Sequence, residues 1–368
     1  MDALKHCLLA KEADKHTLQS CSCGSVDAKW TIHCMDCQFS APTCSTCFMQ
    51  NHRHSPFHWV ERWNGRFFEH CEISMLRHII TLGHNGERCP LVDYTKAKAT
   101  PFTLVDCNGI HRVLLVFCGC LRADSLRFEQ LLLARIFPAT VDDPETGFTF
   151  ECLQDFHIQT LVSKKTAYNH LKSLQMKTDN CFPERVSDPI KEFLRVSRIW
   201  RMLLASKRAG QWHGIDDGGE DGLSGSFPHW QAGRVVMPCL VCSEPGFNVS
   251  ETWDIADWDA VDDEFIHLAS YFLSADGHFG LQCKDKFDDP DDISMCKGHG
   301  IFPPTKWFTK FMKHHQKASP QKSNCMSFRV MEMQNKLKFK GSIVTGVVAI
   351  QCARHRVFTS AVDMSAGE

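Results

Sequence analysis

The chain has 368 residues, enough for two or three domains, and its 43% hydrophobic and 23% charged residues are ordinary for a globular protein. A net charge of -2 excludes a global attraction to nucleic acid, so any such binding needs local basic patches. No run approaches the roughly 18 apolar residues of a membrane helix, and the polar first residues contain no signal sequence. We therefore expect a nuclear or cytoplasmic protein that is neither secreted nor bound to a membrane.

The first informative element is a Cys- and His-rich segment between residues 21 and 58. Cys pairs separated by two residues bring both sulfurs to one tetrahedral zinc ion, and a second Cys or His pair completes the ligand set. The tighter Cys-x-Cys pair that opens the segment is less usual. The segment offers ligands for two zinc ions: Cys21, Cys23, Cys34, Cys37, Cys44, Cys47, His52 and His58. His54 is then a spare imidazole.

Two arrangements of these ligands fit the spacing. We favour a cross-brace like that of ZZ and B-box modules, in which Cys21 and Cys23 share an ion with Cys44 and Cys47, while the middle Cys pair joins His52 and His58. Sequential pairing is the alternative. Disulfides or space-filling thiols would also cluster cysteines, but disulfides are typical of secreted chains, and 20 Cys without an export signal favour metal.

A β-hairpin is predicted after a boundary near residue 90. Two β-rich runs flank Asn108-Gly109, a pair that favours a type I′ turn because both central residues then have positive φ. The second run ends in Cys118-Gly119-Cys120. This motif fits a third metal site, with Cys107 or Cys89, as well as it fits buried thiols at the end of a strand.

Residues 122–210 have a helical pattern. Asp124 or Ser125 can cap a first helix that Pro138 stops, and the clearest helix begins at Asp188-Pro189 and ends at Gly210. The polar face of that last helix carries basic side chains: Arg195, Arg198, Arg201, Lys207 and Arg208. Such a face can contact DNA phosphates, although it is more often simply solvated.

The C-terminal third combines a possible metal half-site with short strands. Cys239 and Cys242 need two further ligands, for which the candidates are Cys283, Cys296, Cys325, Cys352 and His355. Strands are expected at 267–275, running into Asp276-Gly277, and at 342–352. Between them, lysines alternate with Trp307, Phe308 and Phe311. This pattern fits a surface that follows a nucleic-acid backbone, or an amphipathic helix on the protein's own core.

Several short motifs occur along the chain, and their order is informative. After the segment at 21–58 they are Asp106-Cys107-Asn108-Gly109-Ile110-His111, Phe117-Cys118-Gly119-Cys120, Phe137-Pro138-Ala139-Thr140, Thr178-Asp179-Asn180, Trp200-Arg201, Pro238-Cys239-x2-Cys242, Asp276-x2-Phe279 and Cys352-Ala353-Arg354-His355. In this order they resemble the KDZ (Kyakuja-Dileera-Zisupton) class of DNA transposases with their associated CxC-type cysteine cluster. The resemblance covers most of the chain.

The resemblance implies a transposase core of ribonuclease H-like fold, in which carboxylates hold two divalent ions, Mg²⁺ or Mn²⁺, for phosphoryl transfer. Asp276 corresponds to the family's first acidic position and Asp363 to its second. His278 and Val362 stand where the family usually has Asn and Gly. No residue corresponds safely to the third carboxylate before the chain stops at Glu368, so we expect a catalytically incomplete enzyme.

The prediction is therefore a multidomain α+β protein. It has an N-terminal zinc-binding Cys/His cluster at 1–90, a β-hairpin and helical region at 91–235, and a truncated, partial ribonuclease H-like α/β transposase core at 236–368. Its expected role is that of a transposon-derived DNA-binding protein. The alternative is a zinc-dependent protein-interaction module of B-box or ZZ type, with a protein partner and no enzymatic activity. The sequence leaves the oligomeric state open.

Overall fold

The computed structural model of the protein describes residues 1–12, 16–38, 41–94, 99–120, 126–211, 232–237, 239–243, 248, 264, 267, 270–284, 295–296, 299–315 and 341–364. The chain forms two compact units, Met1–Arg198 and Ile199–Glu368. Helices and strands occur in both, so the mixed α+β class is confirmed. The domain boundaries near residues 90 and 235 stay predictions.

The first unit begins with helix α1 (Asp2–Glu12) and a small antiparallel sheet. Strands β1 (Ile32–Cys34), β2 (Val60–Trp63) and β3 (Phe68–Cys71) lie side by side in that order, and helix α2 (Ser45–Asn51) lies between β1 and β2 in the sequence. The buried side chains here form only a small cluster, built on Ile32, Cys34, Phe48, Val60, Cys71 and Ile73. A core of this size stabilises a segment weakly, so the segment depends on additional cross-links.

A larger sheet forms the centre of the first unit. Its strands are β4 (Ile80–Thr81), β5 (Thr100–Asp106), β6 (Gly109–Val116), β7 (Ile136–Pro138) and β8 (Thr146–Thr149), in the spatial order β4-β6-β5-β8-β7. Strands β5 and β6 form the predicted hairpin. Alternate residues of the hairpin point to one face, where Phe102, Leu104, Val113 and Leu115 are buried together with Leu131 and Ile136.

The hairpin turn differs from the predicted one. Asp106 pairs with Gly109, so the loop consists of Cys107 and Asn108, and neither of these adopts a positive φ. The type I′ prediction is therefore wrong. The Asn108 side chain instead donates hydrogen bonds to the Phe57 backbone oxygen at 2.7 Å and to the Asp36 carboxylate at 3.3 Å. These contacts with a distant part of the chain override the local turn preference.

Four helices lie between or after the strands of this sheet in the sequence: α3 (Arg127–Leu133), α4 (Phe150–Ser163), α5 (Ala167–Thr178) and α6 (Ile190–Arg208). The expected helix up to Pro138 is wrong in its second half, because Ile136–Pro138 forms β7. Its expected caps, Asp124 and Ser125, lie outside the described residues. Helices α4 and α5 are capped at their N-termini by Thr149 and Thr166, whose hydroxyl oxygens accept hydrogen bonds from backbone N–H groups of the first turn.

His170 on α5 lies in the apolar contact between helices and makes the first unit sensitive to pH. Its ring centroid lies 5.1 Å from that of Phe156 and 5.6 Å from that of Phe193. Its Nδ1 atom has no hydrogen-bond partner within the described ranges. Burial lowers the pKa of His170 to about 4. An unfolded His titrates near about 6.5, so below that pH the unfolded state binds more protons and is favoured.

We expect the thermal unfolding temperature of the wild type to fall between pH 7.5 and pH 5, and to fall less in His170→Phe. The buried ring of the variant stays uncharged at both pH values. Between pH 7.5 and pH 5 the wild type should therefore lose on the order of 2 kcal/mol more of its free energy of unfolding than the variant does. Any loss of metal ions at low pH should affect the wild type and the variant alike, so it cancels in this comparison. His6→Phe, on the exposed surface of α1, is the control. Parallel profiles for His170→Phe and the wild type would contradict the prediction.

The second unit contains two small sheets among its described residues. Its elements are β9 (Leu273–His278), β10 (Cys283–Lys284), helix α7 (Thr305–His315), β11 (Ser342–Val344), β12 (Gly346–Cys352) and β13 (Phe358–Met364). Strands β13, β12 and β9 form an antiparallel sheet in that order, and β10 pairs with β11. An Asp-Gly pair is also a common signal for a hairpin turn, but Asp276-Gly277 lies inside β9 and does not form one. None of the described helices has the length and apolarity needed to cross a bilayer.

Candidate metal centres

Four groups of Cys and His side chains bring their ligand atoms within 4.8 Å of one another in the described residues. We name them the first centre (Cys21, Cys23, Cys44, Cys47), the second centre (Cys34, Cys37, His52, His58), the third centre (His84, Cys89, Cys118, Cys120) and the fourth centre (Cys239, Cys242, Cys352, His355). Zinc bonds of about 2.3 Å to sulfur and 2.1 Å to nitrogen place tetrahedral ligands about 3.4–3.8 Å apart. Each group has the number and type of ligands that zinc prefers.

The first centre is formed by two short turns. The Sγ atoms of Cys21 and Cys47 lie 3.9 Å apart, as do those of Cys23 and Cys44. Hydrogen bonds from the backbone N–H groups of Cys23 and then Cys44 lower the pKa of Cys21 to about 6. A lowered pKa favours the thiolate, which is the form that binds a metal ion. The turns therefore prepare at least one sulfur of this centre for coordination.

The second centre combines the turn after β1 with two imidazoles after α2. Cys37 Sγ lies 3.3 Å from His52 Nε2 and 3.4 Å from His58 Nδ1, and Cys34 Sγ lies 3.5 Å from His58 Nδ1. His52 Nδ1 is 3.0 Å from the Phe48 backbone oxygen. That contact places the ring proton on Nδ1 and leaves the lone pair of Nε2 pointing to the centre. Burial lowers the pKa of His52, which keeps the ring neutral, as a metal ligand must be.

The eight residues of these two centres are grouped in the cross-brace rather than sequentially. The first Cys pair faces the third, and the middle Cys pair faces the two imidazoles. His54 belongs to neither group. The geometry thus matches the favoured pairing, while the role of the eight residues as metal ligands stays a prediction.

The third centre lies at one end of the five-stranded sheet. Cys118 Sγ lies 3.3 Å from His84 Nε2 and 3.6 Å from Cys89 Sγ, and Cys89 Sγ lies 3.3 Å from Cys120 Sγ. Of the two partners considered for the Cys-x-Cys motif, Cys89 joins the group and Cys107 does not. His84 has no sequence signal as a ligand. It reaches the centre because the short strand β4 pairs in parallel with β6.

The fourth centre completes the Cys239-x2-Cys242 half-site with residues from the end of β12 and the turn after it. Cys242 Sγ lies 3.4 Å from Cys352 Sγ, and Cys239 Sγ lies 3.2 Å from His355 Nδ1. Cys283 and Cys296 are not members of the group, and Cys325 lies outside the described residues. The Cys239 N–H also donates to the hydroxyl of Tyr271, two residues before β9. The centre thus links the half-site segment to the three-stranded sheet.

A hydrogen-bond network joins the second centre to the hairpin turn. Asp36, between the two cysteines of the second centre, accepts hydrogen bonds from the Trp59 N–H at 2.6 Å and from Asn108 Nδ2 at 3.3 Å. Trp59 Nε1 donates to the Asn108 backbone oxygen at 2.9 Å, and its ring stacks on His111 with centroids 4.1 Å apart. Asp36 and Trp59 thus connect the second centre to the hairpin turn.

The two predicted acidic residues lie on one face of the three-stranded sheet. Asp276 of β9 pairs with Ala349 of β12, and Asp363 of β13 pairs with Val347. Cross-strand partners share a face, and residues two apart along β12 do so as well. The two aspartates therefore lie on the same side, two strand spacings apart across the sheet and two residues apart along it, or about 12 Å in total. Both are accessible to solvent. Partial burial raises the pKa of Asp363.

Comparisons with known families match two parts of the chain. Residues 73–182 match the CxC2-like cysteine cluster associated with KDZ transposases, and residues 269–368 match the Kyakuja-Dileera-Zisupton transposase. These matches support the resemblance to KDZ transposases and their associated cysteine cluster. Together the two matches span more than half of the chain's length. No curated protein and no solved structure gives a match.

The two matched ranges contain different candidate sites. The CxC2-like range contains the third centre and the hairpin, whereas the first and second centres precede it. The Cys/His segment at 21–58, which the resemblance included, therefore lies outside the matched range. The transposase range contains Asp276, Asp363, Cys352 and His355, while Cys239 and Cys242 precede it. The fourth centre thus joins the matched transposase segment to residues upstream of it.

Proposed function

We propose that this protein is a transposon-derived DNA-binding protein with a ribonuclease H-like core, in which Asp276 and Asp363 hold Mg²⁺ or Mn²⁺. The match of residues 269–368 to the KDZ transposase carries the proposal. Two hard cations that clamp the oxygens of a phosphoryl transfer need carboxylates on one surface, and the strand register supplies two of them. A role on DNA implies a nuclear location.

The same geometry supports catalytic incompleteness. Neither aspartate belongs to any of the ligand groups formed by the described residues. Two carboxylates about 12 Å apart, with no third acid between them among the described residues, would bind divalent ions weakly. We therefore propose that the isolated chain binds DNA without cutting it efficiently.

We further propose that all four Cys/His centres hold structural zinc. Thiolate and imidazole ligands select zinc over Mg²⁺ or Mn²⁺, which prefer oxygen ligands. Four protein ligands also close each coordination sphere, as in structural rather than catalytic zinc sites. Zinc would then organise the DNA-binding protein, and the oxygen-ligated ions would belong to the face that carries Asp276 and Asp363.

Helix α6 supplies the proposed duplex contact of the first unit. Lys191, Arg195 and Arg198 are exposed and follow one another at intervals of one helical turn. Arg195 also donates to the Ala139 backbone oxygen at 2.5 Å, so Lys191 is better placed than Arg195 to reach phosphates. Lys207 and Arg208 lie in the last turn, where positive charge stabilises the helix itself.

Binding of the full chain to duplex and branched DNA across a salt series tests the proposal. We expect affinity to fall steeply between about 50 and 200 mM salt, because each phosphate contact releases bound counterions. Lys191→Gln with Arg198→Gln should lower the slope of log affinity against log salt by about 2. The control is Arg66→Gln with Lys164→Gln, two exposed basic residues elsewhere in the first unit. Absence of salt-dependent binding to either DNA would refute the proposed function.

A cleft in the first unit favours a second candidate, a zinc-dependent protein-interaction module. The cleft has a volume of about 590 Å³ and is lined by apolar side chains, among them Phe57, Leu82, Leu133 and Ile136, with His54 at its edge. Pockets of this kind bind peptide side chains. The segment at 21–58 is also poor in basic residues, with only Lys29 and Arg53. On this hypothesis, Leu133→Asp should abolish capture of a protein partner by the full chain and leave DNA affinity unchanged.

A further inference from the structure

Helix α7 displays two large aromatic rings to solvent. Trp307 and Phe311 are 59% and 43% exposed, and their ring centroids lie 5.5 Å apart with planes 16° from parallel. The two residues are one turn apart, so their rings lie along the same side of the helix. Burying such rings strongly stabilises a protein, so a neighbouring pair left at the surface is a candidate binding site.

A stripe of positive charge runs beside this aromatic pair. Lys306, Lys310 and Lys313 are all exposed, and with about 3.6 residues per turn they fall on one side of the helix, next to the side that carries the rings. The helix contains no acidic residue. Lys306 lies in the first turn, where a cation opposes the helix macrodipole. The macrodipole therefore does not account for Lys306, although Lys313 in the last turn does stabilise the helix; an external anion would account for the whole row of lysines.

The amphipathic pattern of α7 does not account for the exposed rings. The half-buried side chains Phe308 and Met312 are also one turn apart and form a different side of the helix. Trp307 and Phe311 lie outside that half-buried side and stay largely accessible to solvent.

We propose that the lysine and aromatic stripes of α7 bind DNA with unpaired bases, the phosphates along the lysines and the bases on Trp307 and Phe311. Every base has a π face that stacks on an aromatic ring, whereas a duplex keeps its base faces inside the stack. The site therefore takes single-stranded segments, such as strand ends and branches, with little sequence preference. This inference rests on the proposed DNA-binding function and adds the structural form of the DNA.

A membrane surface is the other ligand that lysines and exposed aromatics can suit. Membrane-surface helices bury a continuous apolar side in lipid, but in α7 the side with Phe308 and Met312 is already half-buried against protein. Only the two stacked rings remain to enter lipid. A flat pair of rings beside a single row of cations matches a base-stacked strand better than an acyl layer.

Binding of the full chain to a single-stranded oligo(dT) and to a hairpin duplex of equal phosphate number tests the inference. Trp307→Ala should weaken binding to the single strand by about tenfold or more, while Trp307→Phe retains most of the affinity, because stacking rather than indole hydrogen bonding is lost. Duplex affinity should change by less than about twofold. Phe67→Ala removes a ring that is also 59% exposed, but in the first unit, and should have no effect. Far-UV circular dichroism checks that the variants stay folded.

The outcomes separate this inference from the function on which it rests. If the wild type binds both DNAs and Trp307→Ala weakens neither, α7 is not the site, and the proposed DNA binding stands. If the wild type binds no DNA, both ideas fail. Vesicles containing phosphatidylserine form the third arm. Vesicle binding that is lost in Trp307→Ala, with single-strand affinity unchanged, would assign the surface to membranes and overturn the inference.

Discussion

Cys34→Ser should remove one zinc ion from the protein and unfold the region around β1, α2 and β2 while the five-stranded sheet stays folded. Cys34 is buried in the second centre, 3.5 Å from His58 Nδ1, and also belongs to the small apolar cluster of that region. A serine hydroxyl is a poor zinc ligand at neutral pH. Structural zinc contributes on the order of 10 kcal/mol to the folding of such modules, far more than this cluster can supply.

Elemental analysis of the purified protein, together with hydrogen exchange along the chain, measures both parts of this result. The expected pattern is one metal equivalent fewer than in the wild type and loss of protection in β1, α2 and β2, with protection retained in β5 and β6. Cys7→Ser and Cys181→Ser alter exposed cysteines that belong to none of the four centres. These controls should keep the wild-type metal content. An unchanged metal content in Cys34→Ser would show that the second centre does not hold an ion.

Local sequence signals anticipated the ligand grouping where all ligands come from one short segment. The first and second centres draw on residues 21–58, where the spacing allowed both the favoured cross-brace and sequential pairing, and the observed groups match the cross-brace. The sequence did not indicate His84 as a ligand of the third centre, because His84 is brought to Cys118 by the parallel pairing of β4 with β6. The fourth centre joins ligands more than a hundred residues apart, so the sequence offered candidates without choosing among them. Long-range strand pairing therefore sets the limit of motif-based prediction here.

Two errors in the predicted elements have similar causes. The helix expected to run to Pro138 ends earlier, because Arg135 adopts a left-handed conformation with φ of 61°. Pro138 then lies in β7 at the edge of the sheet, where a residue without an N–H is tolerated. Asn108-Gly109 carries a strong local signal for a type I′ turn, but the Asn108 side chain is held by Asp36 and Phe57. Tertiary contacts decided both cases.

Gly109→Ala should separate the second centre from the hairpin and destabilise the first unit by about 2–3 kcal/mol. A Cβ atom at Gly109 would lie 2.6 Å from Trp59 Cζ2 and 2.8 Å from Thr178 Oγ1. Trp59 cannot withdraw freely, because its Nε1 bonds to the Asn108 oxygen and its ring stacks on His111. The added methyl group must therefore displace the indole, and with it the loop that Asp36 connects to Trp59.

Denaturant unfolding followed by tryptophan fluorescence measures both the loss of stability and the change around Trp59. Gly65→Ala is the matched control. Gly65 also has a positive φ, 102° against 154° at Gly109, but no atom lies within 4 Å of a Cβ placed there. It therefore reports backbone strain alone, which should cost about 1 kcal/mol and leave the folded-state spectrum unchanged. Equal effects of the two substitutions would mean that the contact of Trp59 with the hairpin contributes little, and that the second centre and the hairpin fold independently.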